Sequence, residues 1–186
     1  MIEHEATQTS TKRVERRAPG DAVAELRQRN EEFGNFFRAE YSRVVKTVMY
    51  SGAAFEEAED AVAWAMREAY DCWSTLARPA SWVRTVALHK YLKTAARDRL
   101  RGNLETKAAH RNCLDRIPVQ TVEEPDELSQ ITTVLRKLPP AQRVVMALTI
   151  DGYSPMEISQ MIHWHPDTVR SNLRHARIKL RNELET

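Results

Sequence analysis

The stretch Tyr153-Ser154-Pro155-Met156-Glu157, lying between Asp151-Gly152 and Pro166, constrains this chain more than any other. A serine followed three residues later by a glutamate forms a capping box, in which each side chain bonds the other residue's backbone N–H. Pro155 occupies the first helical position, where its missing N–H costs nothing. Tyr153 and Ile158 stand at the two positions of a hydrophobic staple. The helix opened here stops near Ile162-His163-Trp164, and Pro166 opens the next. A helix just upstream starts at Leu138-Pro139-Pro140-Ala141-Gln142-Arg143, carries Val144, Val145 and Leu148, and is closed by Asp151-Gly152. The local signals therefore predict short helices joined by tight turns.

In the last helix Val169, Leu173, Ala176 and Leu180 share one face. At about 100° per residue the opposite face centres on Ser171, flanked by Asp167, Arg174 and His175, with Thr168 near its edge. Arg170 and Arg177 project sideways. This is how a chain builds a helix-turn-helix, whose second helix lies in the DNA major groove. The geometry suits Thr168, Ser171, Arg174 and His175 to base edges, and Arg170, Arg177 and Lys179 to phosphates. The alternative is a solvated basic face on a packing helix.

Composition limits the rest. A chain of 186 residues holds one ordinary domain or two small ones. With 42% hydrophobic residues, 29% charged residues and 5 Gly it reads as helical and soluble. The net charge of +2 conceals blocks: Arg78–Arg111 is strongly basic, Asp115–Glu127 acidic, and Asp167–Arg181 basic again. Such alternation suggests separate surfaces for separate partners. Cys72 and Cys113 have neither metal spacing nor a disulfide framework, as in a reduced cytoplasmic protein. No run approaches the ~18 apolar residues of a membrane span. Residues 1–20 lack the apolar core of a secretory signal. Residues 1–21 read as a flexible tail.

From about Ala22 to Met49, Leu26, Phe33, Phe37, Tyr41, Val44, Val45 and Val48 recur at helical spacing, and Ser51-Gly52 ends the pattern. A second helix runs from Phe55 to Trp73, and a third from near Pro79 to about Arg101. On this third helix Trp82, Val86, His89, Lys93 and Arg97 form one stripe, with Lys90 at its margin. Leu88, Leu92 and Ala95 face elsewhere, available for a core. A stripe that begins with an aromatic and becomes cationic suits partly unstacked DNA, the ring meeting a base while the cations hold the backbone. The competing reading makes Trp82 a core residue and leaves the cations solvated. Residues 102–127, with Pro118 and Pro125, read as a linker, and residues 128–186 as a second all-helical domain.

Glu56, Glu57, Glu59 and Asp60 crowd the start of the second helix, where the helix dipole favours acids. Clustered carboxylates also serve metal-assisted phosphoryl transfer. Here they point in several directions, and no distant motif completes a site. His163-Trp164-His165 is similarly incomplete as a metal pair. The expectation is a protein without catalytic residues, metal or cofactor.

Taken together, these segments resemble the sigma-70 family of bacterial transcription initiation factors. The similarity is to its small extracytoplasmic-function (group IV) type, which keeps only regions 2 and 4. Ala58-Glu59-Asp60-Ala61-Val62 resembles the "AED-hydrophobic-V" of region 2.2. Pro79-Ala80-Ser81-Trp82-Val83 resembles the "P-x-x-W-hydrophobic" opening of the −10-reading helix. Leu138-Pro139-Pro140-x-Gln142-Arg143 with Thr168-Val169-Arg170-Ser171 resembles region 4.

The resemblance implies an all-α protein of two small helical domains: region 2 over residues 22–101 and a region 4 helix-turn-helix over 128–186. It implies a factor that docks on the clamp of RNA polymerase core through Glu59 and Asp60. Trp82, His89, Lys93, Arg97 and the loop Ser74–Ala80 would hold the opened −10 strand. Thr168, Arg170, Ser171, Arg174, His175 and Arg177 would read the −35 duplex. An anti-sigma factor is the implied regulator. The chain departs from the family at Ala63-Trp64, where Gln-Glu is common, at Asn172 and His175, where basic residues are common, and at His163, which replaces a turn glycine. A stand-alone helix-turn-helix regulator is the alternative, but it leaves the Trp82 stripe without a role.

Overall fold

The structure is a computed structural model that describes residues 19–105 and 126–185. Its helices are α1 (Pro19–Tyr50), α2 (Phe55–Asp71), α3 (Pro79–Glu105), α4 (Asp126–Arg136), α5 (Pro140–Ile150), α6 (Pro155–Ile162) and α7 (Pro166–Leu184), with a 3-10 turn at Trp73–Thr75. No strand occurs among the described residues. The expected tail and linker lie mainly outside them, but both boundaries move. Residues 19–21, expected in the tail, begin α1, because Pro19 is tolerated at a first helical position. Likewise α3 runs past Gly102 to Glu105, since one glycine costs a helix only about 1 kcal/mol.

Small side chains set the packing of the N-terminal bundle. Ala58, Ala61, Ala65 and Ala69 of α2 are all buried, and with Val62 and Met66 they let α1 and α3 approach closely. Facing them are Val44, Val45 and Val48 of α1 and Val83, Ala87 and Leu88 of α3. The first turn of α2 is closed by Glu57, whose carboxylate accepts the Ala54 N–H at 2.8 Å. One member of the acidic cluster thus has a local structural task.

In the C-terminal bundle α5 is the central element, with Val144 through Leu148 all buried. The Ser154–Glu157 capping box forms: the Ser154 N–H donates to Glu157 Oε2 at 2.9 Å, and the Glu157 N–H donates to Ser154 Oγ at 3.3 Å. Val169, Leu173 and Ala176 turn inward as their spacing predicts.

Two glycine turns shape the junction between the bundles. After α1, the N–H of Gly52 (φ +114°) bonds Met49 O and that of Ala53 bonds Val48 O. After α5, Gly152 (φ +98°) bonds Thr149 O and Tyr153 bonds Leu148 O. Both are Schellman turns, in which positive φ favours glycine. α1 packs on α4 and α5, and α3 packs on α6. Buried residues of both bundles consequently form one continuous hydrophobic core.

Candidate nucleic-acid interface

On α7 the buried stripe forces the other face outward. Thr168, Ser171, Arg174, His175 and Arg177 are all exposed. Arg174 and Arg177 have no carboxylate partner among the described residues, which leaves both guanidiniums available to an anion. Arg170 differs, because it is paired with Asp167 one turn earlier. That pairing, reinforced by His165, holds the Asp167 carboxyl below its usual range. Asn172 donates from Nδ2 to Thr168 O at 2.8 Å and so turns back on its own helix. The turn into α7 places His163 at φ 55°, the left-handed position where the sequence departs from glycine. Ser159 supports it by donating its hydroxyl to Trp164 O at 2.6 Å.

The stripe on α3 is divided between two surfaces. Trp82 is half-buried against the core and lines a cleft of about 900 Å³. The loop Thr75–Arg78 forms one wall of this cleft, and Tyr153, Glu157, Gln160, Met161 and His163 form the other. His89, Lys93 and Arg97 instead open onto an outer groove shared with Val86, Lys90, Thr94 and Trp64. The Lys90 ammonium sits 4.9 Å from the centre of the Trp64 ring, a cation–π contact. Trp64 thus adds an aromatic face to the cationic groove, a position that spacing along α3 alone could not reveal. Where the two surfaces meet, the rings of His89 and His163 lie 5.9 Å apart. Burial, and secondarily His163, pushes the His89 imidazole below its usual value.

Glu59 and Asp60 stand on the first turns of α2, next to an aromatic patch on α1. Tyr41 stacks on Phe37 with ring centres 4.8 Å apart. Burial, followed by the charges of Glu59 and Asp60, raises the Tyr41 phenol above its ordinary range. Phe37, one of the apolar residues that recur at helical spacing along α1, is exposed, at 38%. The resulting surface is aromatic as well as acidic. Among the described residues, no group of three or more His, Cys, Asp or Glu is placed to hold a metal ion, and no helix is long and apolar enough to cross a membrane.

The structure thus places an exposed basic helix face on the C-terminal bundle and a second cationic groove on the N-terminal one. Residues 128–180 match the family described as sigma-70, region 4. The fold is similar to that of the sigma factor RpoE from Bartonella quintana, solved in complex with the anti-sigma factor NepR. That likeness has a TM-score of 0.65 and 18% identity, covering 84% of this chain and 98% of that one. It is also similar to CnrH, solved in complex with the cytosolic domain of CnrY, with a TM-score of 0.58 and 20% identity over 84% and 89% of the two chains. No curated protein matches the chain. The match to sigma-70 region 4 thus covers the C-terminal bundle, and the described residues share the all-helical fold of these two solved proteins.

Proposed function

We propose that this chain is an alternative sigma factor that binds RNA polymerase core and directs it to promoters carrying matched −35 and −10 elements. The observation that carries this reading is the pairing of a region 4 recognition helix with a second cationic helix in a separate bundle. Region 4, over residues 128–186, grips the −35 duplex. Arg174 with Thr168, Ser171 and His175 faces base edges, while Arg177 and Arg170 face phosphates. Region 2, over residues 22–101, receives the opened −10 strand through Trp82 and the cations His89, Lys93 and Arg97. Glu59 and Asp60, with the neighbouring Phe37–Tyr41 stack, dock on the polymerase clamp.

The protein performs no chemistry of its own and works in the cytoplasm, where its polymerase partner resides. An anti-sigma factor restrains it, as NepR and CnrY accompany the two structural neighbours. Reconstituted transcription tests the reading. Core polymerase plus this chain should initiate at a subset of a broad promoter library that core alone ignores. Absence of any added start site, with folded protein present, would refute it.

A further inference from the structure

Arg84 lies within the α3 motif, yet its side chain is not offered to DNA. It is 3% exposed and sits at the junction between the two bundles. Its Nε and Nη2 both reach the carboxylate of Asp151, which comes from the α5–α6 turn of the other domain. Nη2 also lies 2.8 Å from Glu40 Oε2, and Nη1 donates to Ala80 O at 3.1 Å. The Thr47 hydroxyl stands 2.8 Å from Asp151 Oδ2, Arg43 approaches Oδ1 at 4.0 Å, and the Tyr153 ring lies beside the Arg84 guanidinium.

Charge explains why this socket takes a carboxylate. Without Asp151, region 2 presents two guanidiniums, Arg43 and Arg84, against the single carboxylate of Glu40. Asp151 completes the balance and supplies the acceptor that Arg84 Nε faces. Asp151 is itself poorly placed within its own domain, because it caps the C-terminus of α5, where the helix dipole disfavours an acid. Its stabilising partners are Arg84 and Thr47, both from region 2.

We propose that Arg84, Thr47 and Arg43 form a carboxylate-binding socket that captures the protein's own Asp151 and holds region 4 closed over the Trp82 loop. In this arrangement α6 forms one wall of the cleft containing Thr75–Trp82, so it faces the proposed strand-binding loop and narrows the approach to Trp82 until the socket releases. A buried ion pair suits a latch, because the desolvation of its charges offsets much of their attraction and its contribution is to geometry more than to strength. What closure withholds rests on the sigma-factor reading, whereas closure itself does not.

The test uses the free full-length chain. Asp151→Asn keeps the shape and removes the charge, and Thr47→Val removes the hydroxyl. Amide hydrogen exchange is followed in segments 78–85 and 154–163, with small-angle X-ray scattering for overall size. Asp151→Asn should exchange at least tenfold faster in both segments and enlarge the radius of gyration. Thr47→Val should move both readouts the same way by less. Unchanged exchange and size in Thr47→Val, or in helical Asp151→Asn, would overturn the latch. Neither polymerase nor DNA enters the experiment, so its failure leaves the transcription result standing, and the reverse also holds.

Discussion

Replacing Gly52 by alanine should destabilise the protein more than the same change at Gly152, and the difference measures domain closure. Both glycines end helices at positive φ, +114° and +98°. A side chain held in such a conformation costs about 1–3 kcal/mol, and this term is shared. Their surroundings are not shared. A β-carbon on Gly152 meets nothing within 4 Å, whereas one on Gly52 overlaps the Arg143 guanidinium and lies 3.3 Å from the Tyr91 hydroxyl. Arg143 belongs to the other domain and is tethered by its bonds to Leu135 O, Arg136 O and Leu138 O, at 3.1, 2.9 and 2.9 Å. It cannot move aside without releasing carbonyls at the end of α4, and crowding of this kind costs about 1–3 kcal/mol more. For a chain of this size, a difference of about 2 kcal/mol corresponds to roughly 4–8 °C in Tm. Thermal unfolding followed by far-ultraviolet circular dichroism measures both variants directly. Equal losses would mean that Gly52 faces open space in solution, and the packed junction would be refuted.

Arg174→Ala should weaken binding of a matched −35 duplex by about 1–3 kcal/mol, roughly five- to 150-fold, and leave core polymerase association intact. Electrophoretic mobility shift and core pull-down separate the two effects. Lys93→Ala should lower the salt dependence of forked-promoter binding by about 0.7 in log–log slope, the share of one single-strand phosphate contact. Unchanged slope would remove Lys93 from the backbone path. Ser154→Ala should cost about 1 kcal/mol as a lost N-cap and also flatten the acid limb of the stability profile. The Ser154 hydroxyl and N–H hold the Glu157 carboxyl below its usual value of 4.5. That stabilisation is present above the unfolded pKa and is lost as pH falls through the depressed folded one. Urea melts of wild type and variant from pH 3 to 6 check the sign, and parallel profiles would contradict it.

Local signals were legible where the interacting residues lie within one helical turn. Ser154 and Glu157 are three apart, and the inward face of α7 repeats with the helix itself, so capping and facing both followed from spacing. The acidic run at 56–60 was also partly readable, with Glu57 closing its own helix. Spacing failed where two helices had to meet. It grouped Trp82 with His89, Lys93 and Arg97, but α6 packs against the first turns of α3 and places the ring and the cations on different surfaces. It left Trp64 without a partner, because Lys90 comes from a different helix. The helix boundaries near residues 21 and 101 moved for a gentler reason: proline at a first turn and one isolated glycine are weak stops.

The sequence by itself determined most of the helices, the Ser154–Glu157 cap, and the outward direction of the arginines on α7, because each depends on neighbours a few residues away. Tertiary structure alone decided that Arg84 is buried against Asp151, 67 residues distant, and that the Trp82 loop faces α6. Nothing local marks Arg84 as different from the cations that follow it on α3. Only the meeting of two domains removes it from water, and a guanidinium without water requires carboxylates that the fold alone can bring.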